Sequence, residues 1–180
     1  MKSQLLQVLV SGSLLASAAL AAGGSRLNAS LPDAAVAKNV QQQLMKYANY
    51  TIFDEVNFQV HSGQITLSGN VTEPFKKADM EKIAARVPGV QGVTDDIRVL
   101  PFSDTDNALR NRIAIAINND ASLTRYEQGQ TPAIHVIVDQ GQSTLIGTVQ
   151  TQSDRNDAAL LSQYAGSAAT TNNLQVNPGR

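Results

Sequence analysis

The chain has 180 residues, with 14 lysines and arginines against 15 aspartates and glutamates, a formal net charge of −1 and no cysteine. That near balance supplies no long-range pull toward nucleic acid or an anionic surface, so any membrane contact has to be local. Without cysteine there is neither a disulfide framework nor a thiolate metal site, and stability has to come from packed cores.

Residues 1–21 read as a secretory signal peptide. Lys2 gives the positive start, Leu5 to Leu20 the apolar run and Ala19-Leu20-Ala21 the A-x-A exit, so cleavage is expected after Ala21. The competing reading is a membrane anchor, but the run is short and diluted by Ser11, Gly12, Ser13 and Ser17. The mature chain is therefore expected to be exported and periplasmic, with about 159 residues and a net charge near −2. That length suits one medium domain or two small ones.

Residues 22–32, AGGSRLNASLP, are small and polar and close on a proline, as a flexible lead-in would. From Asp33, a candidate N-cap, Val36, Val40, Leu44 and Tyr47 recur at helical spacing. Val56, Phe58 and Val60 then alternate with polar residues. A turn at His61 to Gln64 follows, and Ile65, Leu67, Gly69 and Val71 alternate in a second arm. Gly63 supplies backbone freedom in the turn, and Gly69, on the core-facing parity, is expected to let a helix approach the sheet. Thr72-Glu73-Pro74 starts a second helix with Met80, Ile83, Ala84 and Val87 inside; Pro88-Gly89 ends it before a third strand through Val93, Ile97 and Val99.

The same order then returns. HSGQITLSGNV at 61–71 is rewritten seventy-eight positions later as DQGQSTLIGTV at 139–149, with six matches in eleven and no gap. The shared residues include Gly63/Gly141 and Gly69/Gly147, the structural glycines. An internal duplication is the direct reading. Leu109, Ile113 and Ile117 make the repeated first helix, and Ile134, Val136 and Val138 the repeated first arm. Thr151 with Asp154 is a capping pair before a helix carrying Ala158, Leu161 and Ala165, and Leu174 and Val176 close the sheet. The expected fold is α+β: two tandem αββαβ two-layer sandwiches, at 33–101 and 104–178, each a three-stranded mixed sheet with two helices on one face.

The αββαβ order, the G-Q-x-T-L-x-G-x-V signature of both units and IAARVPGVQGVTDDIRV at 83–99 resemble the BON domain. That domain is found in osmotic-stress and other envelope proteins of bacteria. The second unit departs from the family's V-x-G-V-x-x-V stretch at Tyr164 to Ala169. The resemblance implies no catalytic residues and no cofactor; it implies attachment to phospholipid surfaces or envelope partners.

The residues themselves agree with a non-enzymatic reading. His61 and His135 fall in different units, without a second ligand-type residue at metal spacing, and both are expected to be solvated. Asp95 and Asp96, adjacent in a strand, point to opposite faces and cannot converge on one substrate. Two features remain. Phe75 beside Lys76 and Lys77, with Lys82 further along the helix, is a candidate contact to a lipid headgroup layer. On the outward sheet parity, Gln59 and Ser68 of the first unit become Ile137 and Ile146 of the second, so these two, flanked by His135 and Thr144, are candidate interface residues. Packing between the units is the first reading of that face; a partner protein, self-association or a lipid surface is the second. The function expected is attachment to a phospholipid surface or envelope component in support of envelope integrity under osmotic stress, and the alternative is a periplasmic adaptor or chaperone-like module that binds polypeptide through the apolar sheet face.

Overall fold

A computed structural model describes residues 31–126 and 133–178. The expected signal peptide and nearly all of the expected lead-in lie outside the described residues. The first unit runs α1 (Asp33–Leu44), β1 (Glu55–His61), β2 (Gln64–Val71), α2 (Pro74–Ala85) and β3 (Gly92–Val99). The second runs α3 (Asp104–Asn119), a 3-10 turn at Thr124–Tyr126, β4 (Ile134–Asp139), β5 (Gln142–Val149), α4 (Gln152–Tyr164) and β6 (Ala169–Val176). In each unit the middle strand pairs antiparallel with the first and parallel with the third, so the sheets are mixed, in the orders β1-β2-β3 and β4-β5-β6. This is the expected α+β architecture, and each unit has its own core. Phe58, Leu67, Met80 and Ile97 lie at the centre of the first, and Ile113, Ile134, Leu145 and Leu174 at that of the second.

Both hairpins close through two residues of positive φ, Ser62 (50°) with Gly63 (75°) and Gln140 (52°) with Gly141 (73°). That geometry matches the right-handed twist of the flanking strands. Asp33, expected as an N-cap, does a different job: the N-cap position is Pro32, and the Asp33 carboxylate accepts from the backbone N–H groups of Ser62 (2.7 Å) and Gly63 (2.9 Å). Asp106, in the first turn of α3, does the same for Gln140 (2.9 Å) and Gly141 (2.8 Å). The turn amides point out of the ladder and need acceptors, and in each unit the first helix brings one.

Gly69 also has a different reason from the one expected. It sits opposite Val56 at a φ of 118°, and a Cβ there would collide with the carbonyl oxygen of Glu55 in β1 rather than with a helix. Thr72 does not cap α2, whose N-cap Glu73 makes no side-chain cap bond. The expected pair at α4 is present as a capping box between Thr151 and Asp154. Around Tyr164 to Ala169 the chain still turns cleanly from α4 into β6. A buried hydroxyl cluster holds this corner: Ser143 Oγ lies 2.7 Å from Ser162 Oγ, 2.8 Å from Ser167 Oγ and 3.0 Å from Thr170 Oγ1.

Candidate functional site

The β4 part of the second sheet's outward face is covered by the first unit. His135, expected to be solvated, is buried. Its Nδ1 lies 2.6 Å from the carbonyl oxygen of Asp54, which can only accept, so Nδ1 carries the proton. The His135 ring also meets the Tyr50 ring at 5.5 Å. Beside it Val136 donates its N–H to Ile52 O at 2.7 Å, and Phe53 packs against the second unit's core. Further along the same strand, Arg98 pairs with Asp139 at 2.8 Å. Ile137 is 5% exposed, while Ile146 and Thr144 are half-buried. Cross-strand register puts Ile137 opposite Thr144 and His135 opposite Ile146, so the two isoleucines are diagonal neighbours. At His135 and Ile137 this face is thus an interface inside the molecule.

The segment that makes this contact, Tyr50 to Asp54, has no periodic pattern and was not legible as an interface. It is fixed by a buried ion pair. The Asp54 carboxylate is fully buried and accepts from Lys76 Nζ (2.7 Å), from Thr51 N and Oγ1, and from Thr72 N and Oγ1. Burial alone would raise this carboxyl, but the bonds from Lys76, Thr51 and Thr72 outweigh it and hold it below the ordinary carboxylate value. Lys76 therefore cannot be the exposed headgroup contact expected from its position beside Phe75; it is 5% exposed and turned inward. The repeat offers a signal for this. The equivalent third residue of α4 is Asp154, of opposite charge, and it too is buried, accepting from Tyr126 Oη and Arg125 Nη2 at 2.6 Å each.

Lys77 is also drawn to the protein, by the edge of its own sheet. Its Nζ donates to Ile97 O (2.6 Å) and Asp95 O (3.3 Å), while the Asp95 side chain accepts from Ile97 N (2.9 Å). In the second unit Arg155 donates to Leu174 O and Asn172 O at 2.8 Å each, and Asn172 accepts from Leu174 N (3.2 Å). An edge strand presents unpaired backbone groups to any other strand, and these side chains occupy them. On the β4 edge Arg110 donates to Val138 O, and on the β1 edge Tyr50 Oη accepts from Val56 N at 3.1 Å. Burial pushes the Tyr50 hydroxyl pKa well up, so it remains a neutral phenol.

The most exposed apolar groups lie on the helices and the linker, with Leu31, Met45 and Val176, the last on β6, exposed to a lesser degree. Phe75 at the start of α2 is 50% exposed, Phe102 between the units 82% and Ile115 on α3 60%. Leu160 and Tyr164, one turn apart on α4, are also exposed. Of the lysine candidates only Lys82 is exposed on α2. Phe75 was singled out from the sequence; the other four apolar groups were not. Among the described residues no helix is long and apolar enough to cross a membrane, and no three His, Cys, Asp or Glu side chains cluster as metal ligands.

Two solved structures of CdsD, a structural protein of the type III secretion system of Chlamydia trachomatis, align with this chain. One has 13% identity and a TM-score of 0.30 and covers 81% of this chain and 94% of that one. The other, of its C-terminal domain, has 13% identity and a TM-score of 0.27 and covers 78% and 96%. No curated protein matches. The family model of the BON domain matches twice, over residues 32–101 and 105–178. Such domains are in general non-catalytic binding domains associated with membranes and phospholipid, and proteins that carry them are typically periplasmic or envelope-associated. Two αββαβ units, each with the family's hairpin signature and each matched along its length, make this chain a tandem member of the BON domain family.

Proposed function

We propose that the protein is an exported, non-enzymatic envelope protein that attaches to a phospholipid surface through the apolar side chains of its helix layer and linker, and that it supports envelope integrity under osmotic stress. The observation that carries this reading is the contrast between the two sides of the molecule. The sheet face at Ile137 and the edge groups of β3 and β6 are engaged internally, whereas Phe75, Phe102, Ile115, Leu160 and Tyr164 project into solvent. Amphipathic surfaces of this kind gain from burying apolar groups at the headgroup boundary. With Lys76 buried and Lys77 tied to the sheet edge, the electrostatic share rests on Lys82, and binding is expected to depend little on salt.

The test is co-sedimentation of residues 22–180 with anionic and with zwitterionic vesicles at low and moderate salt. Binding that survives salt and weakens in Phe102→Ser and in Tyr164→Ser supports the reading. Failure to bind either vesicle removes lipid as the ligand. The polypeptide-binding alternative has only part of its sheet face available, since Ile137 and His135 are buried within the chain while Ile146 and Thr144 are half-buried.

A further inference from the structure

Beyond the Tyr50 to Asp54 segment, which lies against β4, β1 of the first sheet faces β5 and β6 of the second. A cleft of about 480 Å³ opens between them, within the size range of small-ligand sites. One wall is Glu55 and Asn57 on the outward parity of β1. The other is a two-by-two patch on β5 and β6, in which Ile146 pairs with Asn173 and Thr148 with Gln175. The Asn57 amide donates to the Glu55 carboxylate, so that wall is already ordered. On the facing wall the side chains of Thr148, Asn173 and Gln175 make no hydrogen bond within the protein, among the described residues. Two solvated amides and a hydroxyl thus line a cleft that also holds one isoleucine.

The chemistry of the walls narrows the occupant. The walls carry one charge of each sign, the Glu55 carboxylate and the Arg155 guanidinium, which Leu174 O and Asn172 O hold at the β6 edge, so no net charge selects an anion. A metal ion would have that single carboxylate. A purely apolar ligand would strip water from the amides without replacing their hydrogen bonds. An extended peptide would need free sheet-edge groups or side-chain pockets, and the β6 edge beside the cleft is occupied by Arg155. A neutral ligand rich in hydroxyl groups satisfies each wall: its O–H groups donate to Glu55, the amides of Asn173 and Gln175 serve as both donors and acceptors, and the apolar face of a ring lies on Ile146.

We infer that this inter-unit cleft, lined by Glu55, Asn57, Ile146, Thr148, Asn173 and Gln175, is a binding site for a neutral saccharide. Such a ligand has two sources in an envelope, a glycan chain or a small free sugar. The site is independent of the helix-layer surface proposed for lipid.

The test is a titration of the intact two-unit chain with chitotriose, maltotriose and trehalose, followed in 1H–15N spectra. The expected result is a saturable shift at the amides of Ile146 to Thr148 and Asn173 to Gln175, with the Asn57 side-chain amide moving alongside. Preference for chitotriose assigns an N-acetylated glycan chain, and equal response to trehalose assigns a small sugar. Asn173→Ala with Gln175→Ala, both at exposed positions, should weaken binding at least about tenfold while leaving vesicle binding unchanged. Absence of a saturable shift with all three saccharides, or shifts that persist in the double variant, overturns the inference.

Discussion

Replacing Lys76 by methionine isolates the charge of the buried ion pair, because the aliphatic stem is kept and only the amine is lost. Asp54 is fully buried and Lys76 nearly so, so the substitution leaves a carboxylate out of water with only the Thr51 and Thr72 bonds to hold it. Removing one partner of such a pair typically costs about 3–5 kcal/mol. Urea unfolding at pH 7, followed by circular dichroism, should show that loss, and Lys82→Met, on the exposed face of the same helix, should stay within about 0.5 kcal/mol. The pH dependence carries the sign. In the native chain the Asp54 carboxyl is lowered below its unfolded value, so its stabilisation is present above that value and is lost as pH falls through the folded one. Without Lys76, burial dominates and the carboxyl moves upward, so the variant is penalised at neutral pH and relieved as Asp54 takes up a proton. The gap between the two proteins should therefore narrow from pH 7 toward pH 3, and Asp54→Asn in the Lys76→Met background should recover part of the loss. A gap below about 1 kcal/mol at pH 7, or one indifferent to pH, would show that the pair does not hold the Tyr50 to Asp54 segment in place.

The covered sheet face predicts that Ile137→Ser lowers unfolding stability by about 2–5 kcal/mol, with a smaller effect for half-buried Ile146→Ser and no change in the sedimentation of either variant. Lost association without lost stability would instead place the face at an external interface. Lys77→Met combined with Arg155→Met should leave each core intact but free the β3 and β6 edges, seen as concentration-dependent self-association by analytical ultracentrifugation; a strictly monomeric double variant would refute the edge role. Gly69→Ala should cost more than Gly141→Ala in thermal unfolding. Both have positive φ, but a Cβ at 69 collides with the β1 backbone, whereas at 141 it points into open space.

The sequence by itself determined the repeated αββαβ order, the hairpin registers and the two cores. Strand alternation, helical spacing and turn glycines are local properties, and the duplication states each of them twice. It also determined the capping box at Thr151 and Asp154, because that motif lies within four residues. The partners of charged side chains were decided elsewhere. Lys76 and Lys77 are adjacent and chemically alike, yet one is buried against Asp54 and the other reaches the edge of β3, and both partners are about twenty residues away. Parity placed His135 and Ile137 on the outward face correctly, but outward from one sheet is inward to the molecule when a second unit packs there. That packing rests on Ile52, Phe53 and Asp54, which lie eighty or so residues from β4 and carry no periodic signal. Local patterns specify which face of an element is apolar, but which charges are desolvated and which faces are covered depend on contacts between distant segments, and these exist only once the two units have packed.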